Sequence, residues 1–328
     1  MKKIAIVRRN GLGDLLCAFP LILLFRKKYP EAELTLFAEK RNAPLLPFLP
    51  PLDETVIFPS NGNKYYNILK TGISYRKKRF DLAISAKSSP MKLVNLFLYS
   101  LGAKKRVAYV DLAWHSKLIN APISYDVEKA KLQHQALKNL HSFDPNLTEV
   151  PEELYPKIKI TNDLRKKYRD KCTFPGPILL LSVTTTRPTS RLDAERYAAI
   201  VNRLYTVSPF QVLVIGQLAD EARARAVIDH LRVPYMLHFP RSFEEFMVML
   251  DMSDFYFLGD GGIAHIGAAL DKPQVVLYGE TNPIEWHPLS KKAETFYDPL
   301  HVNRLKDDVL LTALKRKLEE VVSGRNNL

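Results

Sequence analysis

What most constrains this chain is an alternation that is played out twice. Short runs of β-branched and apolar residues recur, each separated from the next by a segment of helical length and amphipathic period. In the first half, Lys3–Arg8, Glu33–Ala38, Thr55–Phe58, Asp81–Ser85 and Arg106–Val110 read as strands. Asp14–Tyr29, Tyr66–Lys78, Met91–Leu101 and Val127–Ser142 read as helices. The stretch "FDPNLTEVPEELYPKIKI" (143–160) carries prolines and acids without a period, and reads as an interdomain linker. The alternation then restarts. Strands are expected at Ile178–Val183, Gln211–Ile215, Tyr235–His238, Phe255–Leu258 and Gln274–Tyr278. Helices are expected at Ala194–Tyr205, Asp220–Leu231, Phe243–Met252, Ile263–Leu270 and Val309–Val322. Strand and helix in strict alternation predict parallel sheets with right-handed crossovers. The 328 residues suit two domains of roughly 150 each. The expected fold is therefore α/β: two Rossmann-like doubly wound domains, residues 1–150 and 151–328, facing across a cleft. Ligands should bind at the carboxyl ends of the strands.

Composition narrows the function classes. The longest apolar stretch, "LLCAFPLILLF" (15–25), is about half the ~20 residues that span a bilayer. The opening lysines precede too short an apolar run for a signal peptide, so a cytoplasmic protein is expected. Two cysteines, Cys17 and Cys172, agree with a reducing compartment, and no metal-ligand spacing occurs. The charge of +13 is lopsided: 26 lysines and arginines against 14 acids in residues 1–160, but 22 against 21 afterwards. Either the first half has a generic basic surface or it meets something anionic, such as an acidic lipid surface or a phosphorylated substrate. The clusters "YRKKRF" (75–80) and "AKKRV" (103–107) lack interleaved aromatics, which argues against nucleic acid.

Two glycine turns, each between a strand and a helix, carry the chemistry. The first, "NGLGD" (10–14), is not a dinucleotide fingerprint, because the third glycine of G-x-G-x-x-G would fall on Leu16. No Gly-Lys-Ser/Thr follows, so it is not a P-loop. Asp14 either caps its helix or serves as a proton acceptor, with Gly11 and Gly13 letting a substrate approach the backbone. The second, "FLGDGGIAHIGAAL" (257–270), sets Asp260, Gly261 and Gly262 before a helix with His265 near its start. It reads as a tight turn with a core histidine, or as a diphosphate site at a helix N-terminus. Nearby strand ends favour the second reading. "LYGETNP" (277–283) places Glu280 and Thr281 on the same edge. "VIGQLADE" (214–221) delivers Asp220 and Glu221, as helix caps or as acids for a ribose diol. "SVTTTRPTSRLDAERY" (182–197) supplies Thr185, Arg187 and Arg191, a solvated loop or a bidentate phosphate grip.

With "GLGDLLCAFP", "DGGIAHIGAAL" and "LYGETNP" in order along nearly the whole chain, the sequence resembles glycosyltransferase family 9, the ADP-heptose:lipopolysaccharide heptosyltransferases of Gram-negative bacteria. The resemblance implies a GT-B fold and metal-independent, inverting sugar transfer without a cofactor. It implies a nucleotide-diphosphate sugar as donor and a Kdo- or heptose-bearing lipid A core as acidic glycolipid acceptor. By that resemblance the first domain binds the acceptor and the second the donor. The general base falls on Asp14, the diphosphate and sugar contacts on Asp260, Gly261, Gly262 and His265, and the ribose acid on Asp220 or Glu221. The chain departs from the family where Thr or Ser usually follows the second aspartate and precedes the histidine; Gly261 and Ala264 stand there. It departs again where a lysine precedes Trp-Pro; Ser190 and Leu192–Asp193 stand there, leaving Arg187 or Arg191 to supply the cation. The basic first domain would then meet an anionic membrane surface by attraction rather than insertion. Other classes remain: a non-catalytic glycan- or membrane-binding relative, and a nucleotide-binding oxidoreductase, against which Leu16 argues.

Overall fold

The structure, a computed structural model, describes residues 1–50, 52–171, 176–185 and 187–326; Cys172 lies outside them. The chain divides into two compact units, Met1–Pro156 and Lys157–Leu328.

In the first unit, strands β1 (Lys3–Arg8), β2 (Glu33–Ala38), β3 (Glu54–Ile57), β4 (Leu82–Ser85), β5 (Lys105–Val110) and β6 (Ala121–Ser124) form one parallel sheet. Helices α1 (Leu12–Lys28), α2 (Lys64–Tyr75), α3 (Lys92–Ser100), α4 (Val127–Lys131) and α5 (Gln135–His141) connect and cover it. The strand order is β3-β2-β1-β4-β5-β6, the doubly wound arrangement whose order reverses between the first and fourth strands. β1 is buried along almost its whole length because both faces of a parallel sheet are covered. Phe37, Phe58, Phe80 and Phe97 form an edge-to-face and stacked cluster on one face, with centroids 4.8 Å apart for Phe37–Phe97 and 4.9 Å for Phe58–Phe97. Burying such a ring is worth ~2–3 kcal/mol.

The second unit repeats the plan. Strands β7 (Ile178–Ser182), β8 (Gln211–Ile215), β9 (Tyr235–His238), β10 (Phe255–Gly259), β11 (Gln274–Tyr278) and β12 (Ala293–Tyr297) lie in the order β12-β11-β10-β7-β8-β9, all parallel. The helices are α6 (Asn162–Tyr168), α7 (Ala194–Tyr205), α8 (Glu221–Ile228), α9 (Phe243–Met252), α10 (Gly262–Ala269), α11 (Pro283–Trp286) and α12 (Asp307–Asn326). α12 packs on α7, and Leu310, Leu311, Leu314 and Leu318 enter the core of this unit.

The sequence pattern misses both outer strands next to β5 and β11. β6, "APIS", contains Pro122, which has no amide donor and is tolerated only at an edge. β12, "AETFY", is half-buried without alternation, so its period carries no signal. The helix expected over Val127–Ser142 is broken into α4 and α5, because His134 takes an extended conformation and its ring accepts the Ala136 N–H at 3.2 Å. The segment expected as a linker is tied at both ends. A 3-10 turn at Glu152–Leu154 packs on α1, and the Ile158 N–H donates to the Ala269 carbonyl at 2.8 Å.

Candidate functional site

Both glycine turns lie at the points where the strand order of their own sheet reverses. In the first unit, β1 runs into a turn whose left-handed residue is Asn10 (φ 85°), a residue type that tolerates this region, and not one of the glycines. Gly11 is extended and stands at the N-cap just before α1, and Asp14 occupies the first helical turn. One oxygen of the Asp14 carboxylate accepts the Gly11 N–H at 3.2 Å, and the other is paired with the Arg8 guanidinium. Arg8 also donates to the Ala86 carbonyl just beyond β4, so one side chain bridges the two strands at the reversal. It is fully buried, and its Nε has no partner. Burial pushes its pKa down against the pull of Asp14, the mark of a cation held at a desolvation cost. Asp14 keeps 21% of its side chain exposed, so the cap and the open carboxylate are one and the same group.

Two lysines join this constellation. Lys87 follows β4 and is half-buried; burial first, then Arg8 and Lys138, push its pKa down, with Asp14 opposing. Lys138, on α5, is buried and donates to the Ala130 carbonyl at 2.8 Å. Cys17, one turn along α1, has its thiol pushed up to about 12 by burial and is chemically inert. Arg9, also buried, holds Glu39 with its Nε at 2.6 Å, which ties the end of β1 to that of β2. Glu39, Lys40, Arg41, Phe58 and Lys64 line an open cavity of about 500 Å³ beyond β2 and β3, with a mostly basic rim. Sequence reasoning passed over Arg8, Lys87 and Lys138. The signal for Arg8 was available: an arginine closing an otherwise apolar parallel strand.

In the second unit, Asp260 follows β10 and is buried. Burial pushes its carboxyl above the ordinary range, against a hydrogen bond from Thr281 and the charge of Arg187, and with Glu280 adding to the rise. Arg187 Nη1 lies 2.9 Å from Oδ2 but out of hydrogen-bond alignment, so that buried oxygen keeps an open lone pair. Thr185 donates to the Asp260 carbonyl at 2.8 Å and so fastens the loop after β7 to the turn after β10. The Pro188–Ser190 turn of the same loop lies on β10 and β11. A Cβ on Gly259 would meet the Ser190 carbonyl at 2.6 Å, and one on Gly279 the Thr189 carbonyl at 2.5 Å. Ser190 and Thr189 accept the N–H groups of Gly279 and Glu280 at 3.0 and 3.1 Å. Gly261 is different: its backbone is extended and a Cβ there would meet nothing within 4 Å, so the approach to the turn is open. Gly262 begins α10, whose N-terminus has no side-chain cap. His265 is buried in its first turns, edge-on to Trp286 at 6.4 Å.

The other candidates are already engaged. Arg191 directs Nε and Nη2 at the Thr185 carbonyl (3.1 and 2.7 Å), so its fork shapes the loop. Asp220 accepts from the Thr184 hydroxyl at 2.8 Å, and Arg223 lies 3.1 Å from its other oxygen. Glu221 is exposed more than Asp220 and pairs with Arg225 one turn along α8 at 2.6 Å. Thr184 and Thr185 thus link Asp220 to Asp260 through adjacent residues of one loop, and the structure brings Thr185, Arg187, Asp260, Thr281 and Glu280 together.

The chain is similar to known proteins in sequence and in fold. The sequence profile described as glycosyltransferase family 9 (heptosyltransferase) matches residues 68–310. Lipopolysaccharide heptosyltransferase 2 of Salmonella typhimurium is 22% identical over 311 residues, 89% of this chain and 86% of that protein. Among solved structures, a family 9 glycosyltransferase from Veillonella parvula superposes with a TM-score of 0.84 at 15% identity, covering 97% of each chain. The ADP-heptose lipopolysaccharide heptosyltransferase II of Escherichia coli superposes with a TM-score of 0.80 at 18% identity, covering 98% of this chain and 99% of that one. At these identities the structural likeness speaks for the fold, which is GT-B.

Proposed function

The chain belongs to glycosyltransferase family 9, and on that premise we propose that it moves a heptose from ADP-heptose to the inner core of lipopolysaccharide, inverting the anomeric centre without a metal. One observation carries the reading: the carboxylate of Asp14 and the Asp260 turn each sit where their own sheet reverses order, the place where doubly wound sheets bind ligands.

In this reading the first unit takes the acceptor, a Kdo- or heptose-bearing lipid A, and the second takes the nucleotide sugar. Asp14 accepts the acceptor hydroxyl's proton while that oxygen forms a bond to the anomeric carbon. The bond from that carbon to the diphosphate oxygen breaks on the opposite side. The charge gathering on the leaving ADP is met by the uncapped N–H groups of α10 and by Arg187. The basic cavity rim of Lys40, Arg41 and Lys64 suits the acidic groups of such an acceptor. Asp220 or Glu221 receives the ribose after exchanging its present partner. The protein works in the cytoplasm, at the inner face of the membrane; no described helix is long and apolar enough to cross one.

A second reading has its own support. Ser190, standing where the family usually has lysine, is fully buried and its hydroxyl is bound by the Gly279 N–H, so this position offers no cation. A relative that binds the donor without turning it over would look the same. ADP release from ADP-heptose in the presence of a Kdo-lipid A acceptor separates the two. Turnover that Asp14→Ala abolishes, with the donor's thermal shift kept, supports transfer. A donor shift without any release supports the binding relative, and no shift with any nucleotide sugar sinks both.

A further inference from the structure

We propose that the first unit carries a built-in seat for an anionic phospholipid bilayer, formed by Tyr65 and Tyr66 on α2, Lys92 on α3, and Leu112 and Trp114 in the turn after β5. The proposal deepens the peripheral localisation given above and rests on that reading for its purpose, but its evidence is independent of donor and acceptor.

Single apolar side chains on a surface are ordinary. These are neighbours, and they are interleaved with cations. Leu112 is fully exposed, Tyr66 is 61% exposed, Trp114 58% and Tyr65 46%. The Lys92 ammonium lies 5.6 Å from the Tyr65 ring centre and 5.4 Å from that of Trp114, so one lysine joins α2 to the turn after β5. Lys70 lies 5.6 Å from the Tyr66 ring. Neither α2 nor α3 contains an acid. The acid in the turn, Asp111, accepts the Ala113 N–H at 3.0 Å and the Ser116 hydroxyl at 2.9 Å, and the exposed Lys117 follows on the same turn.

The surface has the composition of a bilayer interface. Tyrosine and tryptophan rings settle at headgroup depth, an exposed leucine reaches the acyl boundary, and lysines are drawn to anionic phosphates. Its position also follows from topology. In a parallel sheet every carboxyl end lies on one edge, and α2, α3 and the 112–114 turn all begin there, after β3, β4 and β5. That edge is the one bearing Asp14 and the basic cavity, whose wall includes Lys64 at the start of α2. A bilayer held against this edge would present a lipid-borne sugar to the site without any membrane-spanning element.

The test uses the full chain and vesicles, with neither nucleotide sugar nor glycolipid present. Sedimentation is followed with phosphatidylcholine alone and with equal parts of phosphatidylcholine and phosphatidylglycerol. We expect binding to the mixed vesicles only, weakened by salt, with a blue shift of tryptophan emission that Trp114→Phe removes. Lys92→Glu, and separately the triple variant Tyr65→Ser, Leu112→Ser, Trp114→Ser, should each lower partitioning by roughly tenfold or more. These exposed positions should leave the melting temperature and the nucleotide-sugar thermal shift unchanged, which shows that the variants are folded. Equal binding to neutral vesicles, no binding to mixed ones, or wild-type binding by the triple variant overturns the proposal. Loss of sugar transfer with vesicle binding intact would count against the enzymatic reading and leave this one standing.

Discussion

Asp14→Asn is the substitution that exposes the physics of the first site. The amide is isosteric and its oxygen can still accept the Gly11 N–H, so the first turn of α1 keeps its bond. What changes is charge. Arg8, 1% exposed and without a partner for Nε, loses its counter-ion while remaining buried. Breaking a buried pair typically costs ~3–5 kcal/mol. Because Asp14 is 21% exposed, water already shares this interaction, and a loss of about 2 kcal/mol is the better expectation. For a unit of this size that is a fall of roughly 4–8 °C in melting temperature. The decisive variant is Arg8→Met combined with Asp14→Asn. Removing the cation also removes the desolvation cost that pushes its pKa down, so the double variant should recover to within about 1 kcal/mol of wild type. Chemical denaturation of all four members of the cycle gives the coupling. If the double variant is no more stable than Asp14→Asn alone, Arg8 is not the liability claimed here. Turnover is read on the same proteins. Loss of a general base should slow transfer by roughly 10²–10⁴, about 3–5 kcal/mol of barrier. An Asp14→Asn enzyme at near wild-type rate, folded and saturated with donor, would refute the role of Asp14 whatever its stability.

The second unit gives three further expectations. His265→Ala should weaken nucleotide-sugar binding by about tenfold in calorimetry, the worth of one polar contact; unchanged affinity would remove this residue from the site. Gly279→Ala places a methyl 2.5 Å from the Thr189 backbone and should cost ~1–3 kcal/mol in denaturation, whereas Gly261→Ser enters open space on extended backbone and should stay within about 0.5 kcal/mol. Asp260→Asn removes a buried charge whose pKa is raised in the folded state. The protonated form is the one folding favours, so wild type is handicapped as pH rises through that pKa, and the variant's advantage in melting temperature should shrink as pH falls back through it. An advantage independent of pH would mean that burial of the charge is not its source.

Much of this was legible in residues alone, for a physical reason. Parallel strands buried on both faces must be continuous apolar runs, so β1, β2, β8 and β11 are written plainly in the sequence, and the glycine turns mark where helices start. The pairing of Asp14 and Asp260 with strand ends follows from that local pattern. Two of the four edge strands escape it: β6 and β12 gain their hydrogen bonds from a neighbour already in place and need no apolar code of their own, whereas β3 and β9 were legible. The break between α4 and α5 escapes it too, because a histidine ring ends up capping a helix that periodicity would have run straight through.

The partners of the charged residues were decided only by the fold. Nothing in "SVTTTRPTSRLDAERY" says that Arg191 will spend its fork on the Thr185 carbonyl while Arg187 reaches Asp260, nor that Ser190 will close on Gly279. The Arg187–Asp260 and Ser190–Gly279 contacts join residues far apart in sequence, and the Arg191 fork turns back on its own irregular loop; local propensity is blind to both. Arg8 is the sharpest case. By sequence it is a basic residue at a strand end; only the packing of β1 between β2 and β4 buries it and aims it at Asp14.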